Sequence, residues 1–209
     1  MTATTVLQGD ITTLRPITED DAEITLTWRL GSRAHLMQRG SQTVEQQRAW
    51  IASRRQRDEL NFIMEYRNLP VGMIALLDIN RMHNSIQMGR LLIGEEGLVG
   101  KAPVGFEAEL LLCDFAFDRL GMHKLYGDVV EDNQGMLKTR LYLGYKQDGF
   151  LRDHLNFYGV YKGVHALSLL EDEYRTRCRP KLLQLIEMMK KYSIDESERS
   201  SWGLSGAEK

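Results

Sequence analysis

The stretch that decides the fold is 85-SIQMGRLLIGEEGLVGKAPVGFEAELLLCDFAFDRLG-121. It begins as an alternating strand at 85–94, continues through a glycine-bearing loop at 97–105, and ends in a strongly periodic helix that Gly121 stops. This order sets the unpaired N–H groups and partial positive charge of a helix N-terminus beside the end of a strand. Such a site suits a phosphate group, although the same pattern also fits a merely tight strand-to-helix turn.

The segments around this stretch predict one α/β domain. Before it, two helices are expected, one capped by Thr18 and one opened by the capping box of Thr43 and Gln46. After it, another helix is expected at 133–143. The predicted strands span 5–15, 61–66, 71–79, 85–94, 124–130, 145–152 and 156–167. The three strands from 61 to 94 should form an antiparallel meander.

The C-terminal part predicts an extension of the domain. Residues 169–192 read as one or two helices interrupted near Pro180, because proline disfavours a helical conformation at the residue before it. The stretch from 193 is polar with little periodicity, as disordered segments are. We therefore expect a domain at 1–175, a helical extension at 176–192 and a disordered tail at 193–209.

Composition excludes several classes of function. A formal charge of -2 offers no basic field for nucleic acid, and the two cysteines, Cys113 and Cys178, suggest neither a disulfide framework nor a metal site. The N-terminus has no apolar region typical of a signal peptide, and no stretch approaches the ~18 apolar residues that cross a membrane. We therefore expect a cytoplasmic protein that uses no metal and binds no membrane.

Four segments, in the same order along the chain, resemble the GNAT superfamily of acyl-CoA N-acyltransferases, in the branch that includes ribosomal-protein and amino-sugar acetyltransferases. They lie between about residues 10 and 174. The segments are 14–16 with 19–22 and 28–29, 90–94 with 99–108, 129–145, and 149–154 with 159–161 and 168–170. Their joint order is much more specific than any one of them.

The resemblance implies an α/β (α+β) fold and an acyl-CoA cosubstrate. Its sheet is mixed, mostly antiparallel, splayed at the fourth and fifth strands and flanked by helices. The pantetheine arm inserts where these strands part, and the pyrophosphate lies on the glycine loop. Residues expected to contact CoA are Leu92, Ile93, Val99, Gly100, Lys101, Ala102, Val104, Gly105, Phe106 and Asn133.

Two positions depart from the family pattern. Val99 stands where the family usually has Gln or Arg, with one extra residue around 103–104. Arg140 stands where the family often has a tyrosine that protonates the departing thiolate, and Tyr142 would face elsewhere on the helix. Two alternatives follow: Arg140 stabilises the thiolate electrostatically, or water protonates it.

The resemblance implies direct attack by a neutral amine, which calls for a nearby base because most primary amines are protonated near neutral pH. Candidate bases are Asp78, His83, Glu65 and His154. His83 is attractive because an imidazole titrates near ~6.5. Each has a structural alternative: His83 as a polar turn residue, Asp78 as a carboxylate closing that turn, and His154 as a loop cap.

Similarity to the sugar-modifying members suggests the acceptor. It is carried by Trp28, Arg29, residues 43–51 and the segment around Arg90, and an indole beside a guanidinium can hold a base and a phosphate. The first hypothesis is N-acylation of a dTDP- or UDP-linked amino-deoxy sugar for bacterial surface polysaccharide, by a monomer or homodimer. The alternatives are acetylation of a protein's N-terminal amine and a non-catalytic CoA-binding module.

Overall fold

The computed structural model describes residues 5–37, 40–157 and 159–201, and within them the strands form one eight-stranded sheet of order β1-β2-β3-β4-β5-β6-β8-β7. The strands are β1 (Leu7–Gln8), β2 (Thr12–Pro16), β3 (Leu60–Tyr66), β4 (Leu69–Asn80), β5 (Ser85–Ile93), β6 (Lys124–Val130), β7 (Lys146–Phe157) and β8 (Val160–Leu170). Neighbouring strands are antiparallel, except that β5 and β6 are parallel. The expected mixed, mostly antiparallel sheet is confirmed.

Helices flank this sheet. The α-helices are α1 (Ala22–Leu30), α2 (Val44–Arg54), α3 (Glu96–Val99), α4 (Val104–Asp114), α5 (Gln134–Leu143), α6 (Glu171–Glu173) and α7 (Arg179–Ser201). The predicted cap of α2 is in place, since Thr43 Oγ1 accepts from the Gln46 N–H at 3.3 Å. Thr18 caps a 3-10 turn at Glu19–Asp21 that leads into α1. At the start of α5, Asn133 Oδ1 accepts from the Met136 N–H at 3.2 Å. The glycine loop differs from expectation in that it contains the short helix α3.

The parallel strands β5 and β6 pair only near their starts. Their register joins Ser85 to Lys124, Ile86 to Leu125 and Gln87 to Tyr126. Gly127 lies so close to β5 that a Cβ at this position would come within 2.9 Å of the Met88 carbonyl oxygen. Beyond these residues the described parts of the two strands form no further pairs, so they separate and leave a cleft.

Helices cover both faces of the sheet, and successive side chains along a strand therefore join different hydrophobic clusters. On β3, Phe62 and Met64 join the main core beneath α4 and α7, whereas Ile63 between them joins a smaller cluster under α1. The smaller cluster also contains Trp28 and Leu92. The end of β5 is therefore held between two hydrophobic layers.

Glu107 in the first turn of α4 anchors the hairpin of β1 and β2. Its carboxylate accepts backbone N–H bonds from Asp10, Ile11 and Thr12 at 3.0, 3.0 and 2.7 Å. Gly9 must remain small, because a Cβ there would lie 2.7 Å from the Glu107 carboxyl carbon. The start of α4 is thus fixed against the first strands of the chain.

The C-terminal helices run together rather than breaking at Pro180. A π-helical turn at Tyr174–Cys178 links α6 to α7, and Pro180 occupies the first turn of α7. A proline is tolerated there because a π turn and a helix start each release a backbone hydrogen bond. The backbone of α7 continues to Ser201, past the expected start of the tail, and residues 202–209 lie outside the described residues. The disordered tail stays a prediction.

Three features were expected to be absent. In the described ranges, no helix is long and apolar enough to cross a membrane. The same residues contain no group of three or more His, Cys, Asp or Glu side chains placed to hold a metal ion. Cys113 and Cys178 are both free and buried.

Candidate active site

A bulge in β5 marks the point where this strand leaves β6. The register between β4 and β5 shifts between Met73 and Ala75, and Arg90 opposite has a φ of 55°. Positive φ is uncommon for residues other than glycine, and bulges redirect side chains. Arg90 Nη1 consequently donates to Asn61 Oδ1 at 2.6 Å and lies 3.2 Å from Glu59 Oε1.

The cleft between the parted strands has two connected pockets. The α4 pocket, of about 590 Å³, lies between the end of β5 and the N-termini of α4 and α5. The β6 pocket, of about 200 Å³, is lined by residues that include Arg90, Tyr126 and Asp128. Leu36, Leu91, Asn133 and Met136 line both pockets, so the cleft is continuous.

Most of the residues expected to contact CoA line the α4 pocket. They are Leu92 and Ile93 of β5, Val99, Gly100 and Ala102 of the loop, Gly105 and Phe106 of α4, and Asn133 at the cap of α5. Val104 is fully buried beneath the pocket, and Lys101 is exposed on the loop.

The α4 pocket suits a phosphate ester joined to an extended arm. The first turn of a helix presents N–H groups that lack intrahelical partners, and Gly105 and Phe106 occupy that turn. Gly100 has φ of 54° and ψ of -124°, a conformation that favours glycine. The loop can therefore bring its backbone close to a bound anion.

The candidate bases do not gather at one point. His83 is exposed in the turn between β4 and β5, where its backbone N–H donates to Asn80 Oδ1 at 2.9 Å. Glu65 of β3 pairs with Arg15 Nε at 2.7 Å. Asp78 has a φ of 46° at an irregularity of β4, and His154 is exposed on β7.

Asp128, which the sequence analysis missed, lines the β6 pocket and interacts electrostatically with His154. It shares a face of β6 with Tyr126, because side chains two residues apart in a strand point the same way. Burial, together with the carboxylates of Asp78 and Asp128, raises the pKa of the Tyr126 hydroxyl. Partial burial raises the pKa of the Asp128 carboxyl above its ordinary value, while the charge of His154 acts in the opposite direction. The sequence did contain a signal for Asp128, because it is a charged residue inside the strand predicted at 124–130.

Arg140 lies in a buried polar network between α4 and α5. It forms an ion pair with Glu109 and donates to the Tyr145 hydroxyl at 2.9 Å, and that hydroxyl donates to Glu109 at 2.9 Å. Burial raises the pKa of Tyr145 well above its usual range, which keeps the hydroxyl protonated. Arg140 also lines the β6 pocket, and its role in stabilising a thiolate stays a prediction.

Of the two residues predicted beside the acceptor in α1, Trp28 is packed and Arg29 reaches toward the cleft side. The Trp28 indole donates to Glu95 Oε1 at 2.8 Å, and a Cβ at Gly94 would collide with its ring. Arg29 lies near Arg90, and its guanidinium carbon is 5.6 Å from the centre of the Trp50 ring. Trp28 therefore packs against the end of β5.

The comparison with known families identifies the domain. The chain matches the Acetyltransferase (GNAT) domain over residues 12–146, which is more than half of its 209 residues. The chain belongs to the GNAT acetyltransferases. The expectation of an acyl-CoA-dependent N-acyltransferase is confirmed, and acetyl-CoA is the cosubstrate of this GNAT enzyme.

Two curated relatives of this GNAT enzyme are named spermidine N(1)-acetyltransferase. The protein of Vibrio cholerae serotype O1 is 28% identical over 123 residues, which are 57% of this chain and 68% of the relative. The protein of Escherichia coli K12 is 25% identical over 116 residues, which are 56% of this chain and 61% of the relative. These relatives do not support the amino-sugar branch that the sequence motifs suggested.

Solved GNAT structures share the fold. A putative acetyltransferase from T. thermophilus has a TM-score of 0.73 at 19% identity, covering 88% of this chain and 98% of that chain. A probable GNAT acetyltransferase from Chromobacterium violaceum has a TM-score of 0.72 at 17% identity, covering 82% and 88%. Identities this low establish the shared fold alone.

Proposed function

We propose that this GNAT enzyme transfers the acetyl group of acetyl-CoA to the primary amine of a small molecule, with CoA in the α4 pocket and the acceptor in the β6 pocket. The observation that supports this proposal is the separation of β5 from β6. Strands that separate leave backbone N–H and C=O groups along the gap without ladder partners, and the amides of an extended pantetheine arm can pair with them. The thioester then lies where the two pockets meet.

We assign the role of general base to Asp128. In the proposed reaction the ammonium group of the acceptor gives a proton to the Asp128 carboxylate, and the neutral nitrogen attacks the thioester carbonyl. The C–S bond breaks as the nitrogen gives up its second proton to form the amide, and this proton goes to the departing CoA thiolate, directly or through water. A carboxylate with a raised pKa is a stronger base than an ordinary one, which suits this step.

Two acceptors are candidates on different grounds. The names of the curated relatives favour spermidine. Arg90, which lines the β6 pocket and whose guanidinium lies over the Trp50 ring, favours an acceptor with a phosphate, such as the nucleotide-linked amino sugar that the sequence motifs suggested.

The test is the release of free CoA thiol from acetyl-CoA with a panel of amines. The panel contains spermidine, dTDP- and UDP-linked amino sugars, their amine-free sugar analogues as controls, and a peptide with a free N-terminus. We expect thiol release with at least one small amine and none with the amine-free controls. Turnover of the peptide alone would replace the small-molecule acceptor with a protein N-terminus.

A further inference from the structure

Three arginine side chains from separate elements surround the indole of Trp50 beside the β6 pocket. The guanidinium carbons of Arg29, Arg54 and Arg90 lie 5.6, 5.3 and 5.0 Å from the centre of the ring. These residues, here named the arginine cluster, belong to α1, α2 and β5. Trp50 is half-buried, so one group of cations covers a single partly exposed aromatic surface.

The arginine cluster concentrates positive charge around one carboxylate. Glu59, whose side chain is 8% exposed, lies 3.6 Å from Arg54 Nε and 3.2 Å from Arg90 Nη1. Burial and the neighbouring Arg90 lower the pKa of Arg29. For Arg54, burial and the nearby arginines lower the pKa against the opposing effect of Glu59. Cations that repel one another in a partly dry site are stabilised by an added anion.

The arginine cluster opens onto the proposed acceptor site through Arg90. Asp128 lies two residues after Tyr126, and Gly89, the residue before Arg90, lies two residues after Gln87, so both follow the last pair of β5 and β6, where the strands part. Both Arg90 and Asp128 line the β6 pocket. The positive φ of Arg90 directs its guanidinium toward Asn61, Glu59 and the Trp50 ring, and such strain persists where the surrounding structure enforces it.

Resting on the proposed acetyl transfer, we propose that the acceptor carries an anionic group, a phosphate or a carboxylate, that the arginine cluster binds while the acceptor's amine lies at Asp128. Asp128 in the pocket and the arginine cluster beside it then offer a negative and a positive region to a ligand that carries an amine and an anion. Spermidine, a polycation, matches Asp128 but is repelled by the arginines. An acceptor with an amine and an anionic group can pair with Asp128 and with the arginine cluster at the same time.

A titration that needs no turnover tests the anion site. The protein is first saturated with CoA so that the α4 pocket is filled, and tryptophan fluorescence is followed as sodium phosphate or sodium acetate replaces chloride at constant ionic strength. The Trp50→Phe variant identifies the signal of Trp50. We expect a saturable change with phosphate or acetate, and the better of the two salts identifies the anionic group.

Charge-removing variants assign the binding to the arginine cluster. Arg90→Gln and Arg29→Gln should each abolish or right-shift the titration, and using both guards against a folding defect in one. Arg175→Gln is the matched control, since Arg175 pairs with Asp118 and Glu171 at the surface of the π-helical turn. The absence of a saturable change in the wild type, or an unchanged titration in both Gln variants, would overturn the proposal.

Kinetics with matched acceptors give a second readout. Glucosamine 6-phosphate and glucosamine differ by the phosphate, and we expect the phosphate to raise kcat/KM about 10- to 100-fold, the effect of hydrogen bonds to a charged group. Arg90→Gln should remove most of this difference. A higher kcat/KM for spermidine than for anionic amines would contradict the inference. If anions bind but no amine is acetylated, the acetyl transfer fails and the anion site stands.

Discussion

Arg140 of α5 and Glu109 of α4 form a buried ion pair across the wall of the cleft, and the Tyr145 hydroxyl bonds to both side chains. Their side chains are only 9% and 3% exposed, so neither charge is solvated by bulk water. Each charge therefore depends on the other, and the pair fixes α5 against α4.

Replacing Arg140 by Met should destabilise the fold, because Glu109 is left as a buried carboxylate without its cation. We expect the free energy of unfolding to fall by about 3–5 kcal/mol in urea denaturation at neutral pH. Adding Glu109→Gln to Arg140→Met should restore most of that loss. A loss in Arg140→Met no larger than that in the surface variant Arg175→Met would show that the pair contributes little.

Replacing Gly105 by Asp should weaken CoA binding, because its carboxylate would face the proposed pyrophosphate position at the start of α4. At an effective dielectric of ~20, two like charges ~4 Å apart repel by about 4 kcal/mol before screening. A Cβ at this position meets only Ile93 Cδ1 among its near neighbours, at 3.9 Å, so the fold should tolerate it.

Gly105→Asn is the matched control for this substitution, since it has the same shape without the charge. Isothermal titration with CoA should give a much larger dissociation constant for the Asp variant than for the Asn variant, and the gap should narrow in high salt. Equal affinities would place the pyrophosphate elsewhere.

Asp128→Asn should lower kcat/KM for the acceptor by about 10²-fold, because an amide cannot take the ammonium proton. Steady-state thiol release with the best acceptor measures this loss, and CoA affinity should not change. His83→Ala tests the rival base in parallel. If His83 is the base, the losses will be reversed, with His83→Ala impaired and Asp128→Asn active.

The pH dependence follows from the raised pKa of Asp128. Activity should be present above that pKa, where the carboxylate is charged, and should be lost as pH falls through it. Since His154 lowers this pKa, His154→Gln should move the acidic limb of the kcat/KM profile to higher pH. A profile that stays in place would mean that Asp128 is not the group observed.

Replacing Gly94 by Ala should destabilise the end of β5, because the new methyl group would collide with the Trp28 indole. Overpacking of this kind costs about 1–3 kcal/mol, which thermal or urea unfolding can measure. Gly97→Ala is the control, since no atom lies within 4 Å of the added Cβ. Similar stabilities of the two variants would mean that Trp28 can move aside.

The parts of this enzyme that follow from local patterns were predictable from the sequence. Alternation defined the strands from β3 to β5, and the side chain of Thr43 marked the cap of α2. The order of the strand, glycine loop and helix indicated the loop and helix start at which CoA is proposed to bind, because a helix start and its preceding turn are set by neighbouring residues. The short helix α3 and the uninterrupted path through Pro180 were missed, since tertiary packing overrode local preference.

The acceptor side was less predictable because its residues meet through long-range packing. Trp50 and Arg54 belong to α2, yet the Trp50 ring lies next to the guanidinium groups of Arg54 and of Arg90 from β5. The bulge that turns Arg90 depends on the mismatch between β4 and β5 rather than on its own neighbours. Asp128 gains its altered environment from the parting of two strands, which periodicity alone does not reveal.

The bonds from Glu107 to the backbone of residues 10–12 also constrain the order in which the molecule assembles. They join positions that are 95 to 97 residues apart in the chain. Contacts of such separation form late, because a long loop must close before they are gained. During synthesis the hairpin of β1 and β2 is made well before Glu107, so these bonds can form only after α4 has been synthesised. The residues proposed to hold the pyrophosphate therefore reach their final arrangement only when the two distant parts of the chain have met.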